Sequence, residues 1–147
     1  MGFLNIINNS KIYADTSVFI YTVESHPEYW SLLEPLWDKF QRGAIEICTS
    51  ELTLLEVLIN PIKQGDNLLI SDYEQLLLDT NIQLKPINQS ILREAANLRA
   101  NTKIKTPDAI HIATALAVNC TAFLTNDLGL KNIPNLTTIV LKEVKES

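Results

Sequence analysis

The chain has 147 residues, 46% hydrophobic and 20% charged, with only four glycines and six prolines. These are the size and balance of one globular domain spanning 1–147, and they exclude collagen-like, low-complexity and disordered chains. A net charge of −5 argues against broad non-specific attraction to nucleic acid, and no apolar run reaches the ~18 residues of a membrane span.

The start, Met-Gly-Phe-Leu-Asn-Ile, lacks the basic stretch of a secretory signal, and Ile6 stands where a myristoylation signal wants Ser or Thr. Cys48 and Cys120 are too far apart in sequence for a CxxC pair or a zinc cluster. Two reduced core thiols in a cytoplasmic protein are the expectation.

Lys11–Ala14 reads as a strand ending at Asp15. Thr16 to Glu24 is β-branched and aromatic, so strand and helix both remain open. Pro27 is expected to open a helix carrying Trp30, Leu33, Trp37 and Phe40 on one face, with Pro35 kinking or splitting it. Ile45–Cys48 is a second strand, and Thr49-Ser50 starts a helix with Leu52, Leu55 and Ile59 that stops near Pro61. Asp66 to Asp79 forms another helix through Leu69, Tyr73, Leu76 and Leu77. Ile82–Pro86 is a short strand, and Ser90 to Arg99 a helix. Thr106-Pro107-Asp108 opens a helix, with Thr as cap, Pro in the first turn and Asp at the positive end of the dipole. Its buried stripe is Ala109, Ile112, Ala113 and Leu116. Ala122–Leu124 and Thr137–Leu141 complete the strands. Short apolar strands alternating with helices predict an α/β fold with a mostly parallel sheet of four or five strands.

In such sheets ligands gather beyond the carboxyl ends of the strands. Asp15 and Asp127 fall at such ends, and Asp108 at a helix start. Glu56 shares a helix side with Leu52 and Ile59 and is expected to point inward. Glu51, five residues earlier, is turned away by about 140°. Singly, each acid has an ordinary explanation as a turn, cap or surface residue. Together, four carboxylates suit Mg²⁺ or Mn²⁺.

Four segments carry a resemblance: Tyr-Ala-Asp-Thr-Ser (13–17), Ser-Glu-Leu-Thr-Leu-Leu-Glu-Val (50–57), Thr-Pro-Asp-Ala-Ile-His-Ile-Ala-Thr-Ala (106–115) and Leu-Thr-Asn-Asp (124–127). In order and spacing they resemble the PIN domain, and more closely the VapC-type toxin nucleases of toxin–antitoxin pairs. The resemblance implies a three-layer α/β/α sandwich and a Mg²⁺- or Mn²⁺-dependent endoribonuclease. It assigns Asp15, Glu56, Asp108 and Asp127 as catalytic and metal-holding acids, supported by the hydroxyls of Thr16 or Ser17 and of Thr125. It implies an RNA substrate and a cognate antitoxin as partners. One departure stands out: many members place a basic residue just after the last aspartate, whereas here Leu128-Gly129-Leu130 precede Lys131.

Without the four acids the rest of the chain carries only −1, from −5 + 4. Five positives, Lys85, Arg93, Arg99, Lys103 and Lys105, lie between 85 and 105 against Glu94 alone. They guide a phosphate backbone or form a solvated face; both readings stand. Arg99, Lys103, Lys105 and Lys131 are the candidate substrate contacts. His111 is expected to be a hydrogen-bonded structural histidine rather than a general base. Trp30 and Trp37 are assigned to the core or to a dimer or antitoxin groove rather than to base stacking. The apolar surface from Trp30 to Phe40 and Leu52 to Leu78 predicts a homodimer with an antitoxin segment in a groove on that side.

A phosphatase of the haloacid dehalogenase type would need a second carboxylate where Ser17 stands. A receiver domain would need adjacent acids near the first strand and a lysine near the last. The alternative from another class is a non-catalytic RNA-binding or scaffold protein on the same fold.

Overall fold

The computed structural model describes residues 4–147; the opening Met-Gly-Phe, where the reading of targeting signals begins, lies outside them. Strands β1 (Lys11–Ala14), β2 (Glu46–Ser50), β3 (Gln83–Lys85), β4 (Ala122–Thr125) and β5 (Thr138–Val140) form one sheet. Their order is β3-β2-β1-β4-β5, and every pairing is parallel. The helices are α1 (Thr16–Val23), α2 (Trp30–Gln41), α3 (Glu51–Gln64), α4 (Asn67–Leu78), α5 (Gln89–Asn101), α6 (Thr106–Ala117) and α7 (Leu141–Glu146).

Period-two alternation sorts the sheet's side chains between two helical layers. Ile12, Ala14, Ile47, Ala122 and Leu124 face one core with Val18, Phe19, Leu33, Leu36, Val57, Tyr73 and Leu77. Tyr13, Cys48 and Phe123 face the other, against Ile112 and Ala115 of α6. The expected three-layer α/β/α sandwich is therefore present, with all five strands parallel. Because β1 is flanked by β2 and β4, the chain's connections diverge at the ends of β1 and β4, where a crevice opens in such sheets. Asp15 follows β1, and Asp127 follows β4 by two residues.

The open segment after Asp15 is helix α1, capped by the Asp15 carboxylate accepting from Ser17 N–H. Several boundaries differ from expectation. Pro27 lies in a turn, and α2 starts at Trp30; Pro35 sits inside it without dividing it. Pro61 likewise lies within α3, which runs on to Gln64 and ends at Gly65, in the left-handed conformation at φ +65°. The buried face of α3 is Thr53, Val57 and Pro61, while Leu55 is 58% exposed and Ile59 44%. Of the three apolar residues that the sequence placed on this helix, Leu52 alone packs against a core, beside Ile91 and Ala109. Thr53 can be buried because its hydroxyl pairs with that of Thr49 at 2.7 Å. Thr106 does not cap α6: Lys105 occupies the cap position without a side-chain bond. Helix α7 continues directly from β5 and had no separate sequence signal. Among the described residues, no helix is long and apolar enough to cross a membrane. Cys48 and Cys120 are free thiols, pushed by burial up to about 12 and about 11.

Candidate active site

Asp15 is fixed from both sides. Its backbone N–H continues the sheet by donating to Leu124 carbonyl at 3.1 Å. Its Oδ1 accepts from the Ser17 hydroxyl at 2.6 Å and the Ser17 N–H at 3.1 Å. Its Oδ2 accepts from the Thr125 hydroxyl. Burial nevertheless pushes the carboxyl above its usual range, against the opposing pull of these bonds. Thr125 oxygen also accepts from Asp127 N–H at 3.1 Å, so one hydroxyl links the Asp15 carboxylate to the Asp127 backbone.

Glu56 sits two turns into α3, whose start is set by Ser50 accepting from Leu52 N–H. Its Oε1 accepts from the Thr16 hydroxyl at 2.7 Å and lies 2.7 Å from His111 Nε2. Burial raises this carboxyl, but the His111 and Thr16 hydrogen bonds outweigh it, and the net result lies below the usual range. Thr16 therefore supports Glu56, while Ser17 and Thr125 support Asp15. Glu51 is exposed, turned away from Glu56.

Asp108 lies in the first turn of α6, half-buried. It is raised first by burial, then by the charge of Asp127, with Asp15 and Glu56 adding to it. The four predicted acids thus act on one electrostatic environment. Asp127 is exposed at its rim, where its Oδ1 accepts from Gly129 N–H at 2.8 Å. Among the described residues no Lys or Arg pairs with any of the four; His111 alone is within ion-pair distance of one, Glu56.

A cleft of about 630 Å³ runs past Asp108 and Asp127, with Lys103 and Lys105 in its wall beside Ile104, Leu130 and Ile133. The other two basic candidates are engaged elsewhere. Arg99 donates to Ile104 carbonyl at 3.3 Å and to the Thr106 hydroxyl at 2.7 Å, bracing the loop before α6. Lys131 pairs with Glu143 at 2.7 Å. Neither lines the cleft.

His111 is a hydrogen-bonded histidine, as expected, and only 3% exposed. Its partner Tyr13, 2.6 Å from Nδ1, was not foreseen. A signal existed: Tyr13 and Asp15 share strand parity, which puts the phenol on the α6 side of the sheet. Burial holds that phenol well above its usual pKa. Gly129 was read only as a departure from a basic residue. A Cβ there would stand 3.1 Å from Asp127 Oδ1, so glycine lets the backbone approach this carboxylate. Trp37 is buried, its indole N–H donating to the Thr22 hydroxyl at 2.8 Å. Trp30 is half-buried on a groove of about 450 Å³ with Phe40 and Leu76.

The family model described as PIN domain matches residues 12–136. The chain belongs to that family, and all four acids fall within the matched span. No curated protein matches the sequence. Among solved structures, the fold is similar to VapBC2 from Rickettsia felis bound to a DNA fragment from their promoter, with TM-score 0.70 and 20% identity over 88% of this chain and 98% of that one. It is similar to a toxin–antitoxin complex from Klebsiella pneumoniae, with TM-score 0.59 and 22% identity over 88% and 97%. A third is DNA-bound VapBC from Salmonella typhimurium, with TM-score 0.63 and 16% identity over 90% and 98%.

Whether these acids suit a divalent cation is a question of donor chemistry. No group of three or more His, Cys, Asp or Glu closes to metal-holding distance among the described residues. Mg²⁺, however, keeps several waters and takes one or two carboxylates directly. Asp108 and Asp127 both line the cleft, and among the described residues none of the four carboxylates has a Lys or Arg partner. That donor set fits Mg²⁺ or Mn²⁺.

Proposed function

We propose that the chain is a Mg²⁺- or Mn²⁺-dependent endoribonuclease and the toxin of a VapBC-type pair, residues 1–147 forming one nuclease domain. The observation that carries this reading is the PIN-domain match over residues 12–136, which holds all four acids, with Asp108 and Asp127 lining one cleft beside Lys103 and Lys105. Asp15, Glu56, Asp108 and Asp127 would hold the ion. When bound, it would neutralise phosphate charge and activate a water for in-line hydrolysis. The chain's own residues provide the setting. Ser17 and Thr125 hold the Asp15 oxygens apart, Thr16 and His111 orient Glu56, and Gly129 N–H orients Asp127. Lys103 and Lys105 meet the phosphates of an RNA strand along the cleft.

The similar structure from Klebsiella pneumoniae is a toxin–antitoxin complex, which supports a cognate antitoxin as partner here. The groove at Trp30, Phe40 and Leu76 is the seat we assign to an antitoxin segment. Exposed Leu55, Ile59 and Ile62 on α3 are the surface we assign to a homodimer. The setting we infer is the cytoplasm.

The test is RNA cleavage by purified Asp15→Asn, with contaminating nuclease excluded and Glu51→Gln as the control. Removing one ion-holding charge should cut cleavage at least about 100-fold, while Glu51→Gln stays near wild type. Full cleavage by Asp15→Asn would sink the mechanism. RNA binding without cleavage in either variant or the wild type would favour the scaffold reading.

A further inference from the structure

Around Glu56 the hydrogen bonds are unevenly shared between its two oxygens. Both protein donors, the Thr16 hydroxyl and His111 Nε2, fall on Oε1. Oε2 has no hydrogen-bond partner among the described residues. Behind His111 the chain of contacts runs into the core: Nδ1 lies 2.6 Å from Tyr13 Oη, and Ser50 N–H donates to that same oxygen at 3.1 Å. Tyr13 is fully buried, stacked on Phe123 with ring centroids 5.3 Å apart, and meets the imidazole edge-on.

Counting protons decides the tautomer. The phenol oxygen accepts from Ser50 N–H and lies against His111 Nδ1, while on the other side of the ring Nε2 faces Glu56 Oε1 at 2.7 Å, a carboxylate oxygen that only accepts. Tyr13 therefore donates to Nδ1, and Nε2 carries the imidazole hydrogen toward Glu56. Ser50 is also the cap of α3, the helix that bears Glu56. The same phenol thus ties down both the histidine and the start of the glutamate's helix.

We propose that His111, held as its Nε2–H tautomer by Tyr13, is a positioning residue that clamps one oxygen of Glu56 and leaves the other free for the acidic pocket. This rests on the reading of that pocket as the active centre. A histidine that only filled space would have no stake in which Glu56 oxygen is free. Outer partners of ligating groups typically set affinity by 10–100-fold.

The experiment uses the full chain with ¹⁵N-labelled histidine. There are two histidines, and the spectrum of His111→Gln separates His111 from His26. The wild type should show His111 protonated at Nε2 and bare at Nδ1; a proton on Nδ1 overturns the clamp. Mn²⁺ affinity, measured by calorimetry without RNA, should fall about tenfold in His111→Leu. Most of that loss should return in His111→Gln, whose amide N–H can replace Nε2. Tyr13→Phe should shift the Nδ1 resonance and weaken Mn²⁺ binding. If His111→Leu fails to fold, His111→Gln and Tyr13→Phe carry the test. Wild-type Mn²⁺ affinity in Tyr13→Phe, or in a folded His111→Leu, would overturn the proposal. A wild-type chain that neither binds Mn²⁺ nor cleaves RNA defeats the active-centre reading instead, and the tautomer still decides the clamp.

Discussion

The charge of Glu56 bears on Asp108, yet the surroundings of the two push them in opposite directions. Glu56 is met by two donors, and its carboxyl is held below the usual range. Asp108 sits at a helix N-terminus, where the dipole favours negative charge. It is nevertheless raised, by burial and by Asp127, Asp15 and Glu56. One side of the pocket is satisfied by the fold itself, and the other carries charge that the fold leaves uncompensated. Carboxyls perturbed by burial and by like charge cluster at functional sites.

The largest expected effect is the relief of that imbalance. Mg²⁺ or Mn²⁺ at 100 times its dissociation constant should stabilise the protein by about 2.7 kcal/mol, read as a rise in thermal midpoint. Asp108→Asn should lose much of this gain. An unchanged midpoint at saturating metal would break the contrast between the two sides.

Next in size are two substitutions expected to have opposite signs in the metal-free protein. Asp108→Asn removes a crowded charge and should stabilise by about 0.5–1 kcal/mol, allowing for partial solvent screening. Glu56→Gln weakens two charge-assisted bonds and should cost about 1 kcal/mol. Urea unfolding without metal checks both, and shifts of the same sign would mean that the fold perturbs the two carboxyls in the same direction after all.

The pH dependence separates them further. Asp15 and Asp108 are raised on folding, so the native state binds the extra protons just above the ordinary aspartate value near 4. Their contribution is full below that value and is lost as pH rises through the folded pKa values. Glu56 is lowered, so its contribution is present above about 4.3 and is lost as pH falls through its folded pKa. Metal-free stability should therefore decline from mildly acid pH toward neutrality, and Asp108→Asn should flatten that decline. The acid-side loss should shrink in Glu56→Gln. Stability that climbs steadily from pH 5 to 7 would contradict the assignment.

These features were unequally visible in the sequence. The four acids could be found because strand ends, a Pro in a first turn and helix spacing are local signals. Tyr13 and His111 are 98 residues apart and meet only through the β1–α6 packing, so no window along the chain links them. On α3, Leu52, Leu55 and Ile59 outscored Thr53 as an inward row. Periodicity weighs hydrophobicity and cannot see that Thr49 makes a buried hydroxyl cheap at position 53. Pro61 looked like a stop, yet the helix passed it and ended where Gly65 takes positive φ. The basic stretch 85–105 was read as one unit, although its members differ in what they already hold.

That last difference yields the smallest and most selective prediction. Lys103 and Lys105 line the cleft, whereas the Arg99 guanidinium is occupied by Ile104 carbonyl and the Thr106 hydroxyl. A lysine that neutralises one phosphate of a single strand contributes a slope of about 0.7 in log affinity against log salt. RNA binding measured on an Asp15→Asn background, to prevent turnover, should lose about that slope in Lys103→Ala and again in Lys105→Ala. Arg99→Ala should leave the slope unchanged. It should instead lower stability by about 0.5–1.5 kcal/mol, because the loop that delivers α6 and Asp108 loses its brace. If Arg99→Ala flattens the salt dependence as much as Lys103→Ala, the guanidinium reaches phosphate despite its internal bonds, and the basic stretch works as the single unit that its sequence suggested.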